Sequence, residues 1–400
     1  MGSGGLSPAR LARMRAVMAG YFSRGEVPGL VTLISRRGET HVEVLGAQAL
    51  GGAPMRRDTI FRISSMTKPI TAVATLILVE ECRLRLDDPV DLWLPELADR
   101  QVLQRLDGPL DQTVPAVRPI TVRDLLTFRL GFGLLMASPD EYPILEAADE
   151  LQIGMGPPNP AAIPVAGEWL RRLASLPLMH QPGERWIYNT GSDLLGVLIA
   201  RAAGQPLETF FRERIFVPLG MRDTGFSVPA ADLGRLTTAY VTDYDTGALT
   251  VSDEPVGGQW SRPPAFPSGA GGLVSTVDDY LAFAQMLLNG GKYGNERILS
   301  RLAIELMTTD QLTPAQRASA ADFLGDNNGW GFGVSVILRR DDLVAVPDRY
   351  GWDGGLGTSW SNDPREEMIT ILLTQRGMAS PLDLNLSRDF RTLAYQAIDD

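Results

Sequence analysis

Strand-like segments stand at the two ends of this 400-residue chain, and a long region of different character separates them. Residues 29–45 alternate apolar and polar side chains on either side of Gly38, and residues 59–63 form a third extended piece. Residues 331–338 and 368–374 carry a strand pattern near the other end. Because strands need partners, we expect one sheet that is built from both ends of the chain.

Helical patterns fill the regions between and beyond these strands. Residues 277–288 and 384–398 each predict a helix. Between residues 87 and 265, short helical patterns alternate with long stretches rich in proline and glycine. We therefore predict an α+β fold, an α/β sandwich in which helices flank the sheet. Residues 1–86 and 266–400 would form the sheet domain, and residues 87–265 an inserted, mainly helical domain with lid loops.

Charge and residue usage exclude several classes of protein. The net charge of −11 argues against nucleic acid or an anionic membrane as the partner. The chain shows no signal-peptide pattern and no apolar run of about 18 residues, so we expect a cytoplasmic enzyme. The single cysteine, Cys82, excludes an intrachain disulfide and disfavours structural zinc. We expect its thiol to be buried and inert on a helix.

Only two of the 37 lysine and arginine residues are lysines, and one of them, Lys68, follows Ser65 by three positions. A buried lysine can lose its proton, whereas an arginine practically cannot, so a lysine here suggests proton transfer. Residues three apart share one face of a helix. The pair therefore indicates a nucleophilic serine with a basic group beside it.

Pro69 indicates where this helix begins. Proline has no N–H and is tolerated in the first turn of a helix, so the helix should start close to Ser65. The Ser65 N–H is then unpaired and available to an oxyanion. The alternative is that Ser65 only caps the helix and that Lys68 is an exposed first-turn residue.

Histidine is scarce, which narrows the choice of base. His41 lies in a predicted strand and His180 precedes a turn, so we expect neither to be catalytic. No G-x-S-x-G or H-E-x-x-H motif and no Cys/His cluster occurs, so a histidine triad and a metal are both disfavoured, and no cofactor is expected. Tyr188, just before an apolar helix, is a candidate base; an ordinary core or surface tyrosine is the alternative.

Two further segments are candidates for the site. Residues 350–360 read Tyr-Gly-Trp-Asp-Gly-Gly-Leu-Gly-Thr-Ser-Trp, and their small side chains would let backbone N–H groups approach a ligand. A plain turn between two strands is the alternative. Residues 132–165 are a candidate overhang that sets the size of the acyl group, and an uninvolved surface loop is the alternative.

In this order, the segments resemble the serine β-lactamase/penicillin-binding-protein superfamily, and within it the esterases with a class C β-lactamase fold (family VIII carboxylesterases). The resemblance spans nearly the whole chain. It is carried by Ser65-Met-Thr-Lys68, residues 86–95, 120–126, 182–188 and 269–275, and Trp352-Asp-Gly-Gly355. It implies the β-lactamase/transpeptidase-like fold, with an antiparallel sheet flanked by helices and an inserted helical domain.

The resemblance also implies that Ser65, Lys68 and Tyr188 are catalytic. Ser65 would attack a carbonyl carbon, and Tyr188, acidified by the Lys68 ammonium, would take the serine proton and return it to the leaving alcohol. The N–H groups of Ser65 and Gly355 would form the oxyanion hole. Water or another alcohol would then release the acyl group.

Two departures from the β-lactamase pattern favour esters as substrates. Tyr188-Asn189-Thr190 stands in place of Tyr-x-Asn and lacks the amide that holds a β-lactam side chain. Trp352-Asp353-Gly354 stands in place of Lys-Thr-Gly, so an apolar indole replaces a cation that pairs with a carboxylate. We expect a small neutral ester as substrate, in a pocket that includes Thr190, Trp352, Asp353 and Gly354.

Other functions share these motifs. The runner-up is an amide hydrolase, either a β-lactamase or a D-amino-acid peptidase, and an acyltransferase would form the same acyl-enzyme. A penicillin-binding-like sensor module is the non-enzymatic alternative. The expected partner is a small-molecule ester, with no nucleic acid and no membrane, and a homodimer is a candidate assembly.

Overall fold

The computed structural model describes residues 4–243, 246–380 and 383–400. In chain order, its helices are α1 Pro8–Ser23, α2 Thr67–Glu80, α3 Val122–Leu126, α4 Pro143–Glu150, α5 Ala166–Ser175, α6 Thr190–Ala203, α7 Leu207–Phe211, α8 Val217–Leu219, α9 Val277–Leu288, α10 Arg301–Met307, α11 Pro314–Leu324 and α12 Asn385–Gln396. Its strands are β1 Gly29–Arg36, β2 Glu39–Gly46, β3 Phe61–Arg62, β4 Gln101–Leu103, β5 Thr113–Pro115, β6 Ala239–Thr242, β7 Leu249–Asp253, β8 Val274–Ser275, β9 Lys292–Tyr293, β10 Glu296–Arg297, β11 Asn328–Trp330, β12 Ser335–Ile337, β13 Tyr350–Gly354, β14 Thr358–Asp363 and β15 Met368–Thr374.

The main sheet contains strands from both ends of the chain, as predicted. Seven strands pair in the order β11-β12-β13-β14-β15-β1-β2, and every neighbouring pair is antiparallel. The first strand lies between its hairpin partner β2 and the last strand β15, where Leu33 is paired with Val42 on one side and Ile371 on the other. The antiparallel sheet flanked by helices is therefore confirmed.

Helices cover both faces of this sheet, which explains why β1 is buried along its whole length. Leu30 and Ile34 point to one face and pack in an apolar cluster with α1 and α12. Val31 and Leu33 point to the other face and join the larger core that includes α2 and α9. The alternation of side chains along the strand thus serves two separate apolar layers.

Helix α2 is the centre of the larger core. Every residue from Thr67 to Leu78 is buried, which fits a helix that is apolar nearly all round. The same core contains side chains from residues 1–86, 87–265 and 266–400, so the proposed division into two domains stays a prediction. Within the described ranges, no helix combines the length and the apolarity that crossing a lipid bilayer requires.

Three local predictions need correction. Residues 331–338 are not one strand, because Gly333 adopts a φ of +71° and the chain turns there between β11 and β12. Residues 59–63 contribute only β3, which pairs with β8 outside the main sheet. Cys82 is exposed rather than buried, because α2 ends at Glu80 and Cys82 lies in the left-handed turn that follows.

Candidate active site

Ser65 and Lys68 lie side by side at the start of α2. A short 3₁₀ turn, Ser64–Met66, leads directly into the helix, which agrees with the start that Pro69 predicted. The Lys68 Nζ atom is 2.9 Å from Ser65 Oγ and donates a hydrogen bond to the Ala270 carbonyl oxygen at 2.7 Å. Lys68 is 1% exposed, so the alternative of an exposed first-turn lysine is wrong.

Tyr188 completes the group of three predicted catalytic side chains. Its hydroxyl interacts with the Ser65 side chain through a hydrogen bond and accepts a second one, of 2.7 Å, from the indole Nε1 of Trp352. The centroid of its ring is 4.5 Å from Lys68 Nζ. The structure therefore brings together Ser65, Lys68 and Tyr188, which are far apart in the sequence.

An aromatic cluster holds the Tyr188 ring in place. Its ring packs against five other aromatic rings, with centroid separations from 4.5 Å to 6.4 Å, and the partners are Phe128, Trp186, Phe323, Trp330 and Trp352. Such offset and edge-on contacts fix the position of a ring. The phenolic oxygen is thus positioned by packing as well as by its hydrogen bonds.

Asp193, which the sequence did not single out, is the acidic partner of this site. It lies in the first turn of α6 and is 5% exposed. Its Oδ1 accepts hydrogen bonds from Ser268 Oγ at 2.6 Å and from the Ala270 N–H at 3.1 Å. Since Lys68 donates to the carbonyl oxygen of the same Ala270, the backbone of this one residue links the two side chains.

Burial controls the ionisation of these groups. Desolvation lowers the pKa of Lys68 from 10.5 to about 7, against the opposing attraction of Asp193. Desolvation raises the pKa of Asp193. It also raises the pKa of Tyr188, and the hydrogen bonds with Ser65 and Trp352 oppose this rise without cancelling it. The expectation of a Tyr188 phenolate beside a Lys68 ammonium is not what this environment favours. It favours a neutral phenol and an amine that loses its proton near neutral pH.

The turn after β13 places Gly355 beside the serine. Thr358 Oγ1 donates a 3.0 Å hydrogen bond to the Ile63 carbonyl oxygen, which joins this turn to the chain just before Ser65. A Cβ atom on Gly354 would collide with that carbonyl, so the close approach requires glycine. Within the described ranges, the backbone N–H groups of Ser65 and Gly355 donate to no protein acceptor. They are thus available as the predicted pair of oxyanion donors.

A cavity of about 650 Å³ opens at Ser65. Of the four residues expected in the pocket, Trp352 and Asp353 line this cavity, and Gly354 and Thr190 do not. Gly355 also lines it. Gly354 packs against backbone instead, and Thr190 is buried as the first residue of α6. Neither histidine is among the described residues that line the cavity.

Part of the predicted overhang forms one wall of this cavity. Residues 134–137 and 153–160, together with Ile163, line it. Asn189 donates a 2.9 Å hydrogen bond from Nδ2 to the Met155 carbonyl oxygen, which ties this wall to the residue next to Tyr188. Residues 132–165 are therefore not an uninvolved surface loop. In the described ranges, no group of three His, Cys, Asp or Glu side chains is arranged to hold a metal ion.

The antiparallel sheet, its flanking helices and a serine–lysine pair at the start of a buried helix define the β-lactamase/transpeptidase-like class of proteins. The profile of the beta-lactamase family matches residues 12–388, and the chain belongs to this family. It is thus a member of a serine hydrolase superfamily.

Individual relatives include esterases. The chain is 32% identical to esterase EstB of Burkholderia gladioli, over 94% of this chain and 93% of the relative. It is 38% identical to protein Rv1367c of Mycobacterium tuberculosis, over 88% of this chain and 86% of the relative. Among solved structures, EstCE1, described as a hydrolase with promiscuous acyltransferase activity, superposes with a TM-score of 0.79 at 27% identity, covering 97% of this chain and 98% of that one. The family and its esterase relatives support a hydrolase.

Proposed function

We propose that this protein is a carboxylesterase that cleaves neutral esters through an acyl-enzyme on Ser65. One observation carries the proposal: a buried amine whose pKa is lowered to about 7 lies 2.9 Å from the serine hydroxyl. An amine whose pKa is lowered to about 7 can act as a general base near neutral pH at that distance. A sensor module that performs no catalysis would not need a lysine amine with a lowered pKa beside the serine.

In the proposed acylation step, the neutral Lys68 amine takes the proton of the Ser65 hydroxyl while Ser65 Oγ attacks the ester carbonyl carbon. The oxyanion that forms accepts hydrogen bonds from the N–H groups of Ser65 and Gly355. When the bond to the leaving oxygen breaks, the neutral Tyr188 phenol donates its proton to that oxygen, and the Lys68 ammonium restores the phenol. Water then cleaves the acyl-enzyme with the same groups.

Trp352 supports esters rather than lactams as substrates. Its indole lies at the cavity wall next to Tyr188 and presents a mainly apolar surface near the reacting carbonyl. A free carboxylate at this point would be desolvated without a cation to pair with, whereas a neutral acyl or alkoxy group would not. Esterase EstB, 32% identical, is consistent with this preference.

Acyl transfer to an alcohol is a second candidate, because one structural relative is described as a hydrolase with promiscuous acyltransferase activity. The same acyl-enzyme serves both reactions, and the acceptor that reaches it decides the product. Adding a primary alcohol to the ester assay and measuring the new ester against the free acid separates the two.

The direct test compares p-nitrophenyl acetate and p-nitrophenyl butyrate with a chromogenic cephalosporin. We expect rapid ester turnover, slow lactam opening and no ester turnover above background by Ser65→Ala. Ser64→Ala is a matched control on the neighbouring hydroxyl and should retain turnover. Faster lactam opening than ester cleavage would support the amide hydrolase instead.

A further inference from the structure

Residues 154–158, Gly-Met-Gly-Pro-Pro, form a stretch of the cavity wall that has very few hydrogen bonds. All five of these residues line the cavity. Within the described ranges, a single hydrogen bond joins the segment to the rest of the protein, from Asn189 Nδ2 to the Met155 carbonyl oxygen at 2.9 Å. Glycine has no side chain, and proline has no N–H to donate. The position of this wall therefore depends strongly on Asn189.

The chain on either side of this segment is anchored by other hydrogen bonds. On one side, the Ile153 carbonyl oxygen accepts a 2.8 Å hydrogen bond from the indole Nε1 of Trp169. On the other side, the Ala161 N–H donates to Gln259 Oε1 at 3.0 Å. Asn189 binds the chain between these two anchors, at the residue where the wall has no other hydrogen bond to the body of the protein within the described ranges.

The backbone of Asn189 is held in a costly conformation. Its φ of +87° and ψ of −68° lie in the γ-turn region, which is rare and strained for a residue with a Cβ atom. Hydrogen bonds fix the chain on both sides: the Tyr188 carbonyl oxygen accepts from the Leu134 N–H at 2.8 Å, and the Asn189 carbonyl oxygen accepts from the Ser192 N–H at 3.0 Å. Glycine would suit this backbone better. The presence of asparagine therefore indicates that its side chain is needed.

The same wall passes close to the backbone that holds the catalytic amine. A Cβ atom on Gly271 would lie 3.4 Å from the ring of Pro158, which is ordinary van der Waals contact. Gly271 follows Ala270, whose carbonyl oxygen accepts the hydrogen bond from the catalytic amine. Pro158, Gly271 and Ser65 all line the one cavity. An acyl group bound to Ser65 therefore shares a confined space with this wall.

We propose that Asn189 is a positioning residue that determines specificity: it holds residues 154–158 in place, so that the cavity admits compact acyl groups and excludes branched ones. The inference rests on the esterase function proposed above. Asn189 acts through the wall and not on the reacting atoms. When its hydrogen bond to Met155 is lost, the wall moves outward and the cavity accepts a wider acyl group.

The test compares p-nitrophenyl acetate with p-nitrophenyl pivalate, which has the same leaving group and a branched acyl group. We expect the wild type to prefer acetate in kcat/KM, and Asn189→Gly to lower this preference about tenfold, mainly through a lower KM for pivalate. The lower intrinsic reactivity of pivalate cancels when the two proteins are compared. Asn189→Ala loses the same hydrogen bond and should change the preference equally. It should unfold at a lower temperature than Asn189→Gly, because alanine keeps a Cβ atom at a positive φ.

Asp99→Gly is the matched control, because Asp99 is exposed, also has a positive φ, of +49°, and is not among the described residues that line the cavity. It should keep the full preference for acetate. An unchanged preference in Asn189→Gly and Asn189→Ala would overturn the inference. Loss of turnover of both esters by these two variants at wild-type thermal stability would also overturn it, because Asn189 would then serve the chemistry rather than the size of the cavity. Acetate turnover by the wild type reports separately on the esterase itself.

Discussion

Replacing Lys68 with methionine should remove one component of the pH dependence of stability. The folded chain lowers the pKa of Lys68 from 10.5 to about 7 by burying the amine. Between these two values, the unfolded chain binds a proton at Lys68 that the folded chain does not. Stability therefore rises with pH across this window. Below about pH 7 both states bind the proton, and this contribution no longer changes with pH.

The magnitude follows from the same two pKa values. Each pH unit inside the window changes the free energy of unfolding by about 1.4 kcal/mol for one proton. From about pH 8 to about pH 9.5, the wild type should thus gain about 2 kcal/mol relative to Lys68→Met. The bonds from Lys68 to Ser65 and Ala270 are lost in the variant at both pH values, so they cancel in this comparison.

Urea unfolding of both proteins at the two pH values measures the change. Lys292→Met is the matched control, because Lys292 is the other lysine and is exposed in β9. The difference in the free energy of unfolding between Lys292→Met and the wild type should stay constant with pH. If the difference between Lys68→Met and the wild type also stayed constant, Lys68 would be an ammonium in the folded protein, and the neutral-amine mechanism would fail.

Three further outcomes follow from the site geometry. The kcat/KM for p-nitrophenyl acetate should rise with pH through about 7 as Lys68 loses its proton, and a flat profile from pH 5 to 9 would exclude this base. Trp352→Phe removes the donor to Tyr188 Oη and should lower kcat about tenfold, as steady-state kinetics would show; an unchanged kcat would mean that this bond does not position the phenol. Gly354→Ala should destabilise the fold by about 1–3 kcal/mol and lower kcat, because the added Cβ meets the Ile63 carbonyl oxygen. Thermal unfolding and steady-state kinetics measure the two effects, and a variant with wild-type stability and kcat would mean that this contact does not exist.

The sequence was sufficient for the parts that depend on local constraints. Ser65 and Lys68 are three residues apart, and Pro69 limits where their helix begins, so their proximity follows from helix geometry. The alternation in residues 29–45 and the strand pattern in residues 368–374 likewise predict strands, and these strands pair in the main sheet. Tyr188 was found through its order among the other motifs rather than through any local rule.

The sequence was insufficient where tertiary burial decides. Asp193 appears in the sequence as an ordinary acidic residue in the first turn of a helix, and only the fold places it near Lys68. The sequence does not predict the ionisation of Tyr188, because the aromatic side chains packed around its ring come from distant segments and burial raises its pKa. The motif position predicts Thr190 in the pocket, but Thr190 is the buried first residue of α6 and does not line the cavity.

The central claim is that Ser65 is the residue that becomes acylated. Acid quenching of the enzyme during turnover of p-nitrophenyl butyrate, followed by peptide mapping with mass spectrometry, tests it directly. We expect a butyryl group on the peptide that contains Ser65, and on Ser65 itself after fragmentation. A butyryl group on another residue, or undiminished ester turnover by Ser65→Ala, would contradict the account.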